Sequence, residues 1–134
     1  MLTHPHSLGR TGEDLAADHL HRQGFRVLVR NWRHKALELD LVCEDGETLV
    51  FVEVKTRSSD RFGGPESAVT REKQKRLARA ALAWLAENHA WQRPCRFDVI
   101  AIVRHGDTLN VEHYRHAFTP PQTVGHSHAY WQPW

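Results

Sequence analysis

Sulfur is scarce in this sequence: methionine occurs once and cysteine twice in 134 residues. Cys43 and Cys95 each lie in a strand-like run and form no C-x-x-C pair, so a disulfide scaffold is excluded and two buried, reduced thiols are expected. No apolar run approaches the ~20 residues needed to span a bilayer. Thr3-His4-Pro5-His6-Ser7 breaks any signal-peptide core, so a cytoplasmic chain without a membrane partner is expected. Excess charge is lacking too, with 18 Lys+Arg against 16 Asp+Glu and a formal net charge of +2. Nucleic-acid binding would therefore need a local basic patch rather than a global field. The 11 histidines include no H-E-x-x-H and no Cys/His set, which argues against zinc. No internal repeat is visible.

The remaining composition, 40% hydrophobic and 25% charged, is that of one globular domain. After a frayed start over the first six residues, residues 7–23 show helical spacing through Leu8, Leu15, Ala16, His19 and Leu20, with Gly24 as a stop. Residues 25–32, 37–43 and 48–56 read as strands, the last two joined at Asp45-Gly46, a strong hairpin signal. Residues 57–65 read as an exposed loop. A second helix spans about 70–88, with Leu77, Ala80, Ala81, Trp84 and Leu85 on its apolar stripe. Residues 96–103 form a fourth strand and residues 108–114 a fifth, more exposed one. The order is αβββαβ plus an edge strand. The crossover helix requires the third and fourth strands to run parallel, which gives an α/β fold with a mixed β-sheet flanked by helices. Residues 1–118 are taken as the domain and 119–134 as a Pro/Trp-containing tail without period.

Charges interrupt the second and third strands. Side chains alternate along a strand, so Glu38, Asp40 and Val42 share one face, as do Phe51, Glu53 and Lys55. A two-residue Asp45-Gly46 turn would pair Asp40 with Phe51 and Glu38 with Glu53, placing all three acids and Lys55 on one side. Clustered carboxylates raise each other's pKa values, and a hard divalent cation such as Mg²⁺ relieves that repulsion. Such an ion lowers the pKa of a bound water and neutralises phosphate charge. The alternative from spacing alone is an exposed hairpin face with Glu and Lys paired across strands.

These residues resemble the catalytic signature of the PD-(D/E)xK, restriction-endonuclease-like superfamily: Asp40, then Glu53-Val54-Lys55 after a hairpin. More narrowly, the chain resembles the YraN-like family of small bacterial endonucleases over residues 9–118. The matching segments are Gly12-Glu13-Asp14-Leu15-Ala16, Glu38-Leu39-Asp40-Leu41-Val42, Phe51-Val52-Glu53-Val54-Lys55-Thr56-Arg57 and Arg96-Phe97-Asp98-Val99-Ile100. Phe62-Gly63 and the step from Ala68-Val69 to Lys73 also fit. The resemblance implies the αβββαβ core of that fold and phosphodiester hydrolysis with Mg²⁺ or Mn²⁺. Asp40 and Glu53 then match the metal-binding acids, Lys55 the catalytic lysine, and Glu13 an acid directed at the metal from the first helix. Glu38 matches an auxiliary acid. Leu37 departs from the pattern, which usually has glycine there. Glu13 also reads as a first-turn acid favoured by the helix dipole.

Arg71, Lys75 and Arg79 stack at i, i+4 and i+8 on the second helix and suit a phosphate track, although a solvated face has the same pattern. Arg57 and Lys73, beside the acids, are read as phosphate contacts that position a backbone without reading bases. Trp84 is expected in the core and Trp32 partly buried, while Asp98 is read as a structural partner for an arginine. The leading expectation is a nuclease acting on nucleic acid, DNA in preference to RNA, with a homodimer the simplest way to cut two strands. The rivals are a nucleic-acid-binding module of the same fold without efficient catalysis, and an adaptor working through the tail.

Overall fold

The computed structural model describes residues 2–5, 11–58 and 69–121. Its elements are β1 (Leu2–Pro5), α1 (Gly12–Arg22), β2 (Arg26–His34), β3 (Leu37–Asp45), β4 (Thr48–Ser58), α2 (Arg71–Glu87), β5 (Cys95–His105) and β6 (Thr108–Phe118). The strands make one mixed sheet in the order β1-β6-β5-β4-β3-β2. As expected of a crossover unit, β4 and β5 run parallel, from Leu49 opposite Cys95 to Ser58 opposite Arg104, while the other four pairings are antiparallel.

Each face of the sheet is covered by one helix. Leu15, Ala16 and Leu20 of α1 pack on Leu41, Cys43, Val50, Val52, Ile100 and Ile102. Leu77, Ala80, Ala81, Trp84 and Leu85 of α2 pack on Val42, Phe51, Phe97 and Val99. The central strands β4 and β5 are buried on both sides and read as near-continuous apolar runs, which is why Glu53 and Asp98, only 5% and 0% exposed, stand out within them. Both cysteines are buried and free, and burial pushes each thiol up to about 12.

Several boundaries differ from the sequence reading. The start is not frayed throughout, since Leu2–Pro5 pairs antiparallel with Thr108 to Val111 at the edge of the sheet. Helix α1 begins at Gly12 rather than Ser7, because Thr11 caps it. Thr11 Oγ1 accepts from the Asp14 N–H and the Asp14 carboxylate accepts from the Thr11 N–H, both at 3.1 Å. The β3–β4 turn is centred on Gly46-Glu47, so Asp45 faces Thr48 and Val42 faces Phe51. That moves the register by two residues, an even number, so the faces are not exchanged. Strand β4 runs on to Ser58, which takes Arg57 out of the expected loop, and β6 runs on to Phe118. Pro120 and Pro121 are buried, so the first residues of the expected tail belong with the domain. Residues 122–134, Arg61 and Phe62-Gly63 lie outside the described residues.

Candidate active site

The register brings Asp40 level with Glu53, because the β3–β4 ladder runs from Asp45 opposite Thr48 to Leu41 opposite Val52 and then stops. At that fork the Asp40 carboxylate takes over from the ladder and accepts the Val54 N–H at 2.8 Å. Alternation also breaks here: Leu41 belongs to the α1-side cluster and Leu39 to the α2-side cluster. On β2 the residue between the partners of Leu39 and Leu41 is Asn31, with φ of +53°. This left-handed residue, one of the few types that tolerates it, re-aims the hairpin beside Asp40.

Asp40, Glu53 and Glu13 form one electrostatic group. Burial and then the Asp40 charge raise the Glu53 carboxyl to about 7, opposed by Lys73 and Lys55, and a shared hydrogen bond with Asp40 adds to the rise. The Lys73 ammonium lies 3.4 Å and the Lys55 ammonium 3.6 Å from Glu53 Oε2. Burial and then Asp40 also raise Glu13, while Arg30 and Asn31 lower it. Glu13 Oε1 is buried without a hydrogen-bond partner, with Arg30 Nε 3.8 Å away. Arg30 fixes the start of α1 by a 2.6 Å bond to Asp14, whose carboxyl it holds down near about 2.

Three of the expected site residues are thus brought to Glu53: Asp40, Lys55 and Lys73. Glu13 joins them from α1, at the head of the stripe with Ala16 and Leu20. Glu38 does not converge with them. Once alternation breaks at Asp40, it is half exposed and pairs with Arg33 at 3.5 Å, beside a hollow of about 170 Å³ lined by Ala36, Leu37, Lys73 and Arg76. Lys73 sits on Glu53 instead of facing outward as a pure phosphate contact. The sequence carried the signal: Lys73 lies at i−4 from Leu77 and extends the sheet-facing stripe through Ala80, Ala81 and Trp84. Arg71 and Arg79 are exposed, and Lys75 pairs with Glu72 at 3.7 Å. Arg57 lies on β4 opposite Val103. Arg30 and Asn31, which steady Glu13, were not singled out from the sequence, where they sit in an unremarkable strand.

Among the described residues no three His, Cys, Asp or Glu side chains form a ready-made metal cage. The donors at the fork nevertheless suit a hard cation. Two neighbouring carboxylates, one of them raised to about 7 by its burial and its neighbour, and a buried Glu13 oxygen lacking a partner are the oxygen ligands such an ion prefers.

Gly12 sets how closely α1 approaches the fork. A Cβ there would meet Thr56 Oγ1 at 2.7 Å and Ile102 Cγ1 at 3.3 Å, so a methyl group has to push the first helical turn off β4 and β5. Gly12→Ala should lower stability by about 1–3 kcal/mol, the usual range for overpacking, and displace Glu13. Urea midpoints by circular dichroism test the first expectation; an unchanged midpoint refutes the close packing.

The comparisons with known proteins agree with one another. The model of the uncharacterised protein family UPF0102 matches residues 12–102. A UPF0102 protein of Nitratidesulfovibrio vulgaris (strain DP4) is 50% identical over 129 residues, covering 96% of each chain. One from Lawsonia intracellularis is 42% identical over 127 residues, covering 95% of this chain and 96% of the relative. One from Beutenbergia cavernae is 53% identical over 110 residues, covering 81% and 93%. The matched stretch takes in Glu13, Asp40, Glu53, Lys55 and Lys73, and the chain belongs to the UPF0102 family, the YraN-like family that its motifs resemble.

Proposed function

We propose that this protein is a metal-dependent nuclease of the PD-(D/E)xK type, hydrolysing phosphodiester bonds of nucleic acid, with DNA as the substrate class. The observation that carries this reading is the Asp40–Glu53 carboxylate pair at the β3–β4 fork, with Lys55 and Lys73 both on Glu53 Oε2. Asp40 and Glu53 would hold Mg²⁺ or Mn²⁺, with Glu13 beside them. The bound ion supplies an acidified water and neutralises phosphate charge. Lys55, at 36% side-chain exposure against 24% for Lys73, is the more open lysine and orients the attacking water or meets charge developing on the phosphate. Lys73 opposes the rise in the Glu53 pKa and so favours the ionised ligand. Arg57 and Arg71 position the backbone, without base readout. A cytoplasmic homodimer is the form that suits two-strand cutting.

The test is incubation of supercoiled, single-stranded and branched DNA with the protein and Mg²⁺ or Mn²⁺. Metal-dependent cleavage is expected, and none on any substrate refutes the reading. A non-cutting binding module is the second reading, favoured by Glu38 turning to Arg33 and by Leu37 in the adjoining hollow. It expects DNA affinity that needs no metal and falls steeply with salt.

Lys73→Met gives a sharper expectation. Removing a cation that lowers the Glu53 pKa leaves the carboxyl more protonated near neutrality. Cleavage at pH 7 should drop about fivefold for a one-unit rise from the parent value of about 7, and should recover at pH 8.5. A loss independent of pH would show that Lys73 acts elsewhere.

A further inference from the structure

The α1 side of the sheet carries a buried polar chain that the nuclease reading does not use. Asp98 of β5 is fully buried and accepts from Arg96 Nε at 2.9 Å and Nη2 at 3.3 Å, from His113 Nε2 at 2.8 Å and from the His116 N–H at 2.9 Å. An ionised carboxylate only accepts, so His113 carries its proton on Nε2. In neutral His113, Nδ1 is then a lone pair, and His19 Nε2, 3.2 Å away, donates to it. This leaves His19 Nδ1 bare. That atom is buried without a hydrogen-bond partner, in a side chain whose residue is 5% exposed.

His19 and His113 line an open hollow of about 690 Å³ together with Gln23, Glu112, Tyr114 and Arg115. Among the described residues, it lies beyond the stretch Thr108 to Val111 of β6 that pairs with β1. A cation is poorly matched to it: burial, then His113, Arg115 and Arg22 among its neighbours, hold the His19 imidazole down at about 4. The groups that can donate are the half-exposed Arg115 guanidinium, which lies over the Phe25 ring with Nη1 3.7 Å from Asp45 Oδ2, and the Gln23 amide, for Glu112 is engaged by the Tyr114 hydroxyl at 2.7 Å. The other charged or titratable groups around the chain are Arg96 of β5, His116 of β6, Asp45 of β3, which pairs with Arg96 at 3.0 Å and Arg115 at 3.7 Å, and the Cys43 thiol of β3, held protonated by burial and Asp98.

We infer that this hollow binds a phosphate group through Arg115, Gln23 and the Nδ1–H of His19, taking up one proton as it does so. His19 Nδ1 gains a proton from solvent, and the His19 Nε2 proton passes to His113 Nδ1. The positive charge then rests on His113, beside the Asp98 carboxylate that stabilises it, and the Nδ1–H of His19 points its hydrogen bond at the anion. A guanidinium fork from β6, with an amide and a ring N–H from the end of α1, suits a tetrahedral oxyanion better than a planar carboxylate. The inference goes beyond the nuclease reading and does not depend on it. Its relation to the fork is spatial: Glu13 and His19 lie on one helix, about 9 Å apart along its axis.

The experiment uses the full chain with chelator, in an Asp40→Asn background that silences the fork. Inorganic phosphate and a dinucleoside monophosphate are titrated at pH 7.5 while long-range proton–nitrogen spectra report the histidine rings. Either ligand should move His19 Nδ1 from its bare to its protonated shift, and calorimetry in buffers of different ionisation enthalpy should give one proton taken up per dinucleoside monophosphate bound. His19→Phe should weaken binding at least tenfold; if that variant does not fold, the nitrogen shift in the parent decides alone. Binding of both ligands assigns the site to a nucleic-acid strand, and binding of inorganic phosphate alone assigns it to free phosphate groups. A His19 Nδ1 that neither ligand protonates, or affinity that survives His19→Phe, overturns the proposal.

Discussion

Asp40→Asn should reduce metal-dependent cleavage about 10³-fold or more while leaving the fold intact. The substitution separates two tasks of one side chain. Its oxygen accepts the Val54 N–H at 2.8 Å where the β3–β4 ladder ends, and an amide oxygen does that equally well. Its charge raises the carboxyls of Glu53 and Glu13, and a neutral amide oxygen in its place would hold a cation far more weakly. Metal-derived stabilisation of transition-state charge is worth several kcal/mol, and each ~1.4 kcal/mol is a decade in rate. Thermal melts should superimpose on those of the unmodified protein. The Glu53 carboxyl, relieved of its like-charged neighbour, should titrate below about 7, a change that carboxyl NMR resolves. Cleavage that persists in Asp40→Asn refutes the assignment of the fork as the active site, whatever the melts show.

How far the fork was legible in the sequence depended on which physical rule governed each residue. Strand parity survived a wrong turn centre, because moving the hairpin by two residues restores the same faces; Glu53 and Lys55 therefore ended where expected, with Asp40 closer to Glu53 than a diagonal neighbour. Strict alternation failed for Glu38, since one left-handed residue, Asn31 on the partner strand, sits beside the break, and nothing in an Arg-Asn-Trp run announces it. Glu13 was readable from the helical spacing it shares with Ala16 and Leu20. Lys73 was readable the same way through Leu77, but its charge drew it to the phosphate reading. The pairing of β1 with β6 carried no sequence signal, because a four-residue edge strand lacks enough alternation to distinguish it from a loose end. The Asp98 chain was hidden for another reason. Arg96 was visible two residues away, while His19 and His113 are 94 residues apart and meet only through the sheet.

Asp98→Ala should be among the most damaging changes to stability that this chain can carry. It leaves His113 without its buried acceptor and the Arg96 guanidinium, 14% exposed, with Asp45 alone at 3.0 Å, and removes the oxygen that satisfies the His116 N–H. Breaking a buried, hydrogen-bonded charge pair from one side typically costs about 3–5 kcal/mol. For a domain of this size that lowers Tm by roughly 10–20 °C. The pH dependence identifies the cause. Burial pushes the Asp98 carboxyl up, but donors from His113, Arg96 and the His116 N–H outweigh it, and the folded-state value lies below the ordinary 3.8. Its contribution is therefore complete above about 3.8 and is lost as pH falls through the depressed value. Glu53 has the opposite sign: with a folded-state value of about 7 against an ordinary 4.5, it withdraws stability as pH rises from 4.5 through 7. Urea midpoints between pH 2.5 and 8 should thus show an acid limb that Asp98→Ala flattens but does not remove, since Asp14 at about 2 also contributes. Glu53→Gln should gain on the parent as pH rises from 4.5 through 7, where His19, held at about 4, masks the decline in the parent itself. If Asp98→Ala lowers the midpoint equally at every pH, the loss is one of packing and the charge-stabilised chain is not what holds β5 and β6 to α1.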